Sequence, residues 1–429
     1  MIRTAGLALA AILATAPAAA QTVAITNARV HTVHGAALER ATIVVRDGRI
    51  EAVGSAVAVP AGVRVVDAAG GVVTPGFIDS ATQLGVIEID AYPGTADQFA
   101  SHDRITAAFN VADGYNPLST LIPVTRAEGV TRAVVRPSAV GSLIAGQGIV
   151  VHLGDGGAGA IVRNPAGMWV VLGESGAALA GGSRGAAMLL LREALQDARD
   201  YAVNRAAFES NQRREYALSR LDLEALVPVV EARLPLVVAV DRASDILAAL
   251  RLREEFGLRL ILTGAAEGWM VADDIARVDV PVVVYPLQNV PDFESLGATF
   301  ENAARLHAAG VRVVIGTGAL DPSMSAHNSR NLRHAAGVAA AHGLPWDAAL
   351  AAVTATPAEV WGVADSYGRI APGQDADLVV WSGDPLELTT LVRHVFIRGR
   401  EVDLGATRQR LLFERYRDRE ALPQGYDRP

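Results

Sequence analysis

A chain of 429 residues that is 51% hydrophobic can bury a large core, and its net charge of −8 argues against nucleic acid or anionic membrane as its main partner. It has no cysteine, which excludes disulfides, thiolate metal sites and a cysteine nucleophile. It has no lysine either, so it can form neither a Schiff base nor a carbamylated lysine bridging two metals.

Residues 1–20 read as a signal peptide: Arg3, then an apolar run from Ala5 to Ala16, then the small residues Ala18, Ala19 and Ala20 before Gln21. Cleavage near Ala20 predicts a periplasmic or secreted protein. No later apolar run is long enough to cross a bilayer, so no membrane anchor is expected. Residues 21–75 alternate apolar and polar positions in short strands, with a turn at Arg46-Asp47-Gly48-Arg49. Residues 76–366 alternate short apolar runs with amphipathic stretches. The apolar runs include Arg132 to Arg136, Met168 to Leu172, Leu236 to Val240, Leu258 to Thr263, Val280 to Val284 and Val311 to Ile315. Helical periodicity lies between them, as at Gly185 to Arg205 and Arg242 to Glu255.

This alternation predicts an α/β fold with a (β/α)8 TIM-like barrel. No glycine-rich phosphate loop follows an early strand, which argues against an open doubly wound sheet. Residues 367–403 return to strand character, so the two chain ends are expected to pair into a small β-sandwich. Residues 404–429 place arginines around Leu411, Leu412, Phe413 and Tyr416, as an amphipathic helical tail would.

Several motifs carry a family resemblance. They are Asp47-Gly48-Arg49-Ile50, the run Thr74-Pro75-Gly76-Phe77-Ile78-Asp79-Ser80-Ala81-Thr82-Gln83, and Ala127-Glu128-Gly129-Val130-Thr131. Asn116-Pro117-Leu118, Ala145-Gly146-Gln147, Pro357-Ala358-Glu359 and Gly368 to Trp381 add to them. In this order the chain resembles the amidohydrolase superfamily, in its imidazolonepropionase-like branch. The resemblance implies a barrel with a sandwich built from both chain ends, and hydrolysis of non-peptide C–N bonds assisted by zinc or a similar divalent metal.

The family's metal ligands do not carry over. The first-strand line usually reads Pro-Gly-Phe-Ile-Asp-x-His-x-His, and Ala81 and Gln83 stand at the histidine positions. The strand-four lysine has no counterpart. The strand-five histidine falls on Ala239, the strand-six histidine near Thr263-Gly264, and the strand-eight aspartate on Gly318. A catalytic zinc needs about three nitrogen or oxygen ligands, so no metal cofactor is expected.

Other residues are candidates for a site. Asp321 is either a displaced catalytic aspartate or a helix N-cap, and His327 either overlooks the barrel mouth or makes loop hydrogen bonds. Arg136, Glu174, Arg242 and Glu267 stand at or just beyond strand ends, where they line a pocket or form internal salt bridges. Gln147, flanked by glycines, either binds a ligand or shapes a turn. His31 and His34 have strand spacing that puts them on opposite faces, so one ion cannot easily take both.

These features favour an exported pseudoenzyme that binds a small amide-like ligand, forms a homo-oligomer or assembles with a metal-bearing paralogue. The alternative is an active hydrolase of cyclic amides or dipeptides with a site rebuilt from Gln83, Asp321, His327 and Glu267. A purely structural subunit would lack a ligand-sized cavity.

Overall fold

The structure is a computed structural model that describes residues 22–405 and Arg415, apart from 90–91, 103–104, 155–156, 158 and 319–324. The expected signal peptide, Asp321 and nearly all of the expected tail lie outside the described residues.

The strands in chain order are β1 (Val23–Val30), β2 (Leu38–Arg46), β3 (Arg49–Gly54), β4 (Arg64–Asp67) and β5 (Val72–Pro75). There follow β6 (Phe77–Thr82), β7 (Val130–Val135), β8 (Ile144–His152), β9 (Ile161–Val171) and β10 (Leu236–Val240). The series ends with β11 (Leu260–Gly264), β12 (Val282–Val284), β13 (Val313–Ile315), β14 (Leu378–Trp381), β15 (Val392–Ile397) and β16 (Arg400–Glu401).

The two chain ends share one eight-stranded sheet. They join where β5 lies antiparallel to β14, with Val72 opposite Trp381 and Pro75 opposite Leu378. The sheet branches at β1, whose first half pairs with β4 and whose second half pairs with β5. Inward positions of β1 and β2, among them Ile25, Val30, Ile43 and Val45, pack with Leu378, Val380 and Phe396 into one core. Each such side chain contributes roughly 1.5–3 kcal/mol when fully buried.

The middle of the chain forms the second eight-stranded sheet, β6 to β13 in unbroken order, with β13 returning to contact β6. The result is a nearly closed barrel. Each strand sends at least one residue to the axis: Ala81, Val134, Val150, Trp169, Val237, Ile261, Val283 and Val314 form a single buried cluster with Ala166, Val360 and Trp361. Strand alternation puts these residues inside and their neighbours, such as Val135, Val170 and Val238, into the outer core beneath the helices.

The barrel departs from the expected repeat at its third strand. β8 runs antiparallel to both β7 and β9, whereas the remaining barrel neighbours are parallel. A parallel return needs a crossover of a dozen or more residues. Only residues 136–143 separate β7 from β8, so the chain turns straight back without a helix. Long helices appear later: Arg184–Glu209 precedes β10 and Ala243–Phe256 follows it.

The foot of the barrel rests on the chain-end sheet through Arg132, on β7. It is only 1% exposed. Its Nε lies 2.6 Å from Asp377 Oδ2, its Nη2 lies 3.7 Å from Asp375 Oδ2, and its guanidinium stacks 3.7 Å from the centre of the Tyr367 ring. The approach to Asp377 is close but off the donor direction, so this is an ion pair rather than an aligned hydrogen bond.

Candidate functional site

The strand alternation that fills the barrel axis also decides what reaches its mouth. One or two steps of two beyond the axial residues stand Gln83, Arg136, Asp241, Thr263, Tyr285 and Gly318. A cavity of about 390 Å³ opens at this end. Its floor is Trp169, stacked on Trp361 with ring centres 5.6 Å apart and planes 8° from parallel. Ala145, Leu172 and Ala239 add apolar wall, and Arg136, Ser138, Thr263, Asp241, Glu174, Asp292 and Glu294 are its polar lining. A cavity of this size meets the requirement of the ligand-binding readings and is the feature a purely structural subunit would lack.

Its charges are unevenly neutralised. Arg184 holds Asp245 at 2.8 Å and also pairs with Glu294, so that rim carboxylate is satisfied. Glu294 in addition accepts the backbone N–H of Glu174 at 2.9 Å. Asp292 accepts from the backbone and hydroxyl of Ser295 at 2.7 and 2.8 Å. Asp241 has one backbone donor, Ala266 at 3.2 Å. Burial pushes its carboxyl up to about 6, and the nearby charges of Glu294, Asp292 and Glu267 push the same way. Asp241 sits tightly because Gly264, at φ +87°, leaves it room: a Cβ there would lie 2.5 Å from Asp241 Oδ1.

Among the described residues Arg136 is the single cation lining the cavity. Among the described residues no carboxylate comes within ion-pair distance of it. Its one hydrogen bond, from Nη1 to the Pro137 carbonyl, is 3.4 Å long, and its Nε is buried without an acceptor.

The residues present do not fit the family's metal. Ala81 and Ala239 offer no donor. Gln83 is fully buried and donates its amide to Ser138 Oγ. Thr263 shares a short hydrogen bond with Tyr285 Oη. A Cβ added at Gly318 would lie 2.5 Å from Tyr285 Cζ and 2.8 Å from its hydroxyl. The tyrosine ring therefore occupies the space that a side chain at 318 would need. Among the described residues no group of three or more histidines, aspartates or glutamates could hold an ion.

The other candidates divide between the cavity and its surroundings. Glu174 lies in the helix Gly173–Leu179 and lines the cavity. Gln147, on β8, donates to the Ala107 carbonyl at 3.0 Å. Glu267 is buried and accepts the N–H groups of Ala243 and Gly297, both at 2.9 Å, tying two loops together. Arg242 is exposed at the start of its helix and does not line the cavity, and half-buried His327 lies in the short helix Ser325–Asn328. His31 packs on Trp346, ring centres 4.7 Å apart. Sequence reasoning missed Asp241, Tyr285, Asp292 and Glu294. Counting by twos from Val237 reaches Asp241, one residue before Arg242.

Comparison with known proteins places this architecture. A sequence pattern described as the Amidohydrolase family matches residues 258–402. The chain is 24% identical over 380 residues to amidohydrolase tasK of Hapsidospora irregularis, a match that covers 80% of this chain. It spans only 37% of the length of that relative. The crystal structure of an amidohydrolase from Thermotoga maritima MSB8 superposes with a TM-score of 0.79 at 27% identity, over 89% of this chain and 99% of that one. An adenosine deaminase from Xanthomonas campestris, solved with bound zinc, shares the fold at a TM-score of 0.51 and 16% identity, over 92% of this chain and 98% of that one.

Proposed function

Because the chain belongs to the amidohydrolase superfamily, whose members are usually metal-dependent hydrolases of C–N bonds, its emptied ligand positions require an account; we propose that it is an exported member that binds a small ligand at the barrel mouth without a catalytic metal. One observation carries this reading. Tyr285 fills the space beside Gly318 and bonds to Thr263, so two of the positions where ligands are expected are committed to a tyrosine. Loss of even indirect support for metal ligands costs roughly 10–100-fold in affinity or activity, and loss of the ligands themselves costs more.

The chemistry left to the chain's own residues is recognition. Gln83 holds Ser138 at the cavity wall, Trp169 offers an apolar face, and Arg136 and Asp241 present opposite charges. A rebuilt hydrolytic site would need Gln83 and Glu267 to be available, and both are engaged in internal hydrogen bonds.

The test is metal analysis of the purified chain after dialysis against zinc and gel filtration, paired with a panel of dipeptide and cyclic-amide substrates. The expected result is far less than one zinc per chain and no turnover. One zinc retained per chain, with turnover abolished by a chelator, overturns the reading.

A further inference from the structure

We propose that the cavity at the barrel mouth is a site for a small zwitterion, a molecule of amino-acid size carrying one carboxylate and one ammonium group. This names the ligand class of the binding reading above and rests on it.

The argument starts from Arg136. Its planar fork of donors suits a carboxylate. Inside the protein it has only the long bond to the Pro137 carbonyl, and its buried Nε has no acceptor. A guanidinium in this state calls for an anion from outside. A simple anion, however, would also meet Asp241, Glu174 and Asp292, none of which has a cationic partner among the described residues. A simple cation would suit those carboxylates and be repelled by Arg136. Only a ligand bearing both charges satisfies both sides.

The arrangement keeps the two charges from cancelling each other. Asp241 is anchored by the Ala266 N–H at 3.2 Å, and Arg136 stays just past the end of β7 beside Pro137, so no ion pair forms across the cavity. The neighbouring Asp245 and Glu294 show the contrast, since Arg184 neutralises both. Trp169, Ala145 and Leu172 supply an apolar wall for a side chain. At about 390 Å³ the cavity sits at the lower end of the roughly 300–1,000 Å³ typical of small-molecule sites.

The experiment uses the full chain after export. The twenty L-amino acids are screened by thermal shift, and the strongest stabiliser is taken into titration calorimetry beside its N-acetyl and amide derivatives. The expected result is one-to-one binding of the free amino acid, with each derivative at least ~10-fold weaker. Arg136→Gln should abolish the preference for acid over amide, and Asp241→Asn the preference for free over acetylated amine. Arg136→Lys, which keeps the charge, should retain part of the first preference if the glutamine variant does not fold. Equal binding of all three forms, or no stabilisation by any amino acid, overturns the proposal. Stoichiometric zinc with turnover would instead overturn the metal-free reading and leave this titration to be judged separately.

Discussion

Arg132 lies on β7 and Arg136 directly follows it, four residues apart, and the alternation of the strand turns both toward the barrel interior. The first is sealed at the foot between Asp377, Asp375 and the Tyr367 ring. The second opens into the mouth cavity with no carboxylate in reach among the described residues. An arginine whose charge is cancelled within the chain holds the fold together. An arginine whose charge is left uncancelled is available to something the chain does not contain. The same residue type on the same face thus separates the sealed end of the barrel from its open end.

The largest test of this contrast is removal of each arginine in turn. Arg132→Met would strip buried Asp377 of its ion-pair partner, leaving its carboxylate, among the described residues, only the Arg398 N–H at 2.8 Å, while Asp375 would keep Arg49 and Arg398; breaking a buried pair in this way costs roughly 3–5 kcal/mol. Arg136→Met removes an uncompensated charge from a partly open cavity, and a change of less than about 1 kcal/mol is expected. Urea denaturation of the two variants measures both. Equal losses would mean that Arg136 is also structural and would end the division of roles.

A second test asks whether the mouth is shaped by filled space. Gly318→Ala puts a methyl group against the Tyr285 ring, and overpacking of this kind costs roughly 1–3 kcal/mol. Tyr285→Ala in the same chain should relieve the clash, so the double variant should lose less than the sum of the two single ones. Strict additivity of the melting shifts would show that the ring moves aside freely and that the space beside Gly318 is not committed.

Much of this was legible in the sequence. The apolar runs of the barrel strands and the paired β-character of both chain ends are local signals, and local signals survive in a single sequence. The antiparallel β8 was harder to see because its residues alternate like any other strand. Only the shortness of 136–143 betrays its direction. At the site, the empty positions Ala81, Ala239 and Gly318 could be read against the family line. That Tyr285, from the neighbouring strand, fills the gap could not be read, because complementarity of shape between strands leaves no spacing pattern. Arg136 and Glu174 were found by standing at strand ends. Asp241 was missed in favour of Arg242, although the period of two points to the aspartate and turns the arginine toward solvent.

The smallest effect concerns the acids. At the foot, Asp375 and Asp377 face Arg132, whereas at the mouth Asp241 has no cationic partner among the described residues and its carboxyl is pushed up to about 6. An acid whose pKa is higher in the folded state binds its proton more tightly there than in the unfolded chain. Its contribution to stability is therefore fully present below the ordinary aspartate value near 4 and is lost as the pH rises through about 6. Asp241→Asn cannot ionise, so at pH 7 the variant should be more stable than the parent by about 1–2 kcal/mol, and the difference should shrink as the pH falls toward 4. Buried Asp79, raised in the same direction by its burial, is present in both proteins and cancels in the comparison. Melting curves from pH 4 to 8 measure the difference. A variant less stable than the parent at every pH would show that the Asp241 carboxylate is held by partners as the foot aspartates are, and the contrast between the two ends of β7 would then rest on the arginines alone.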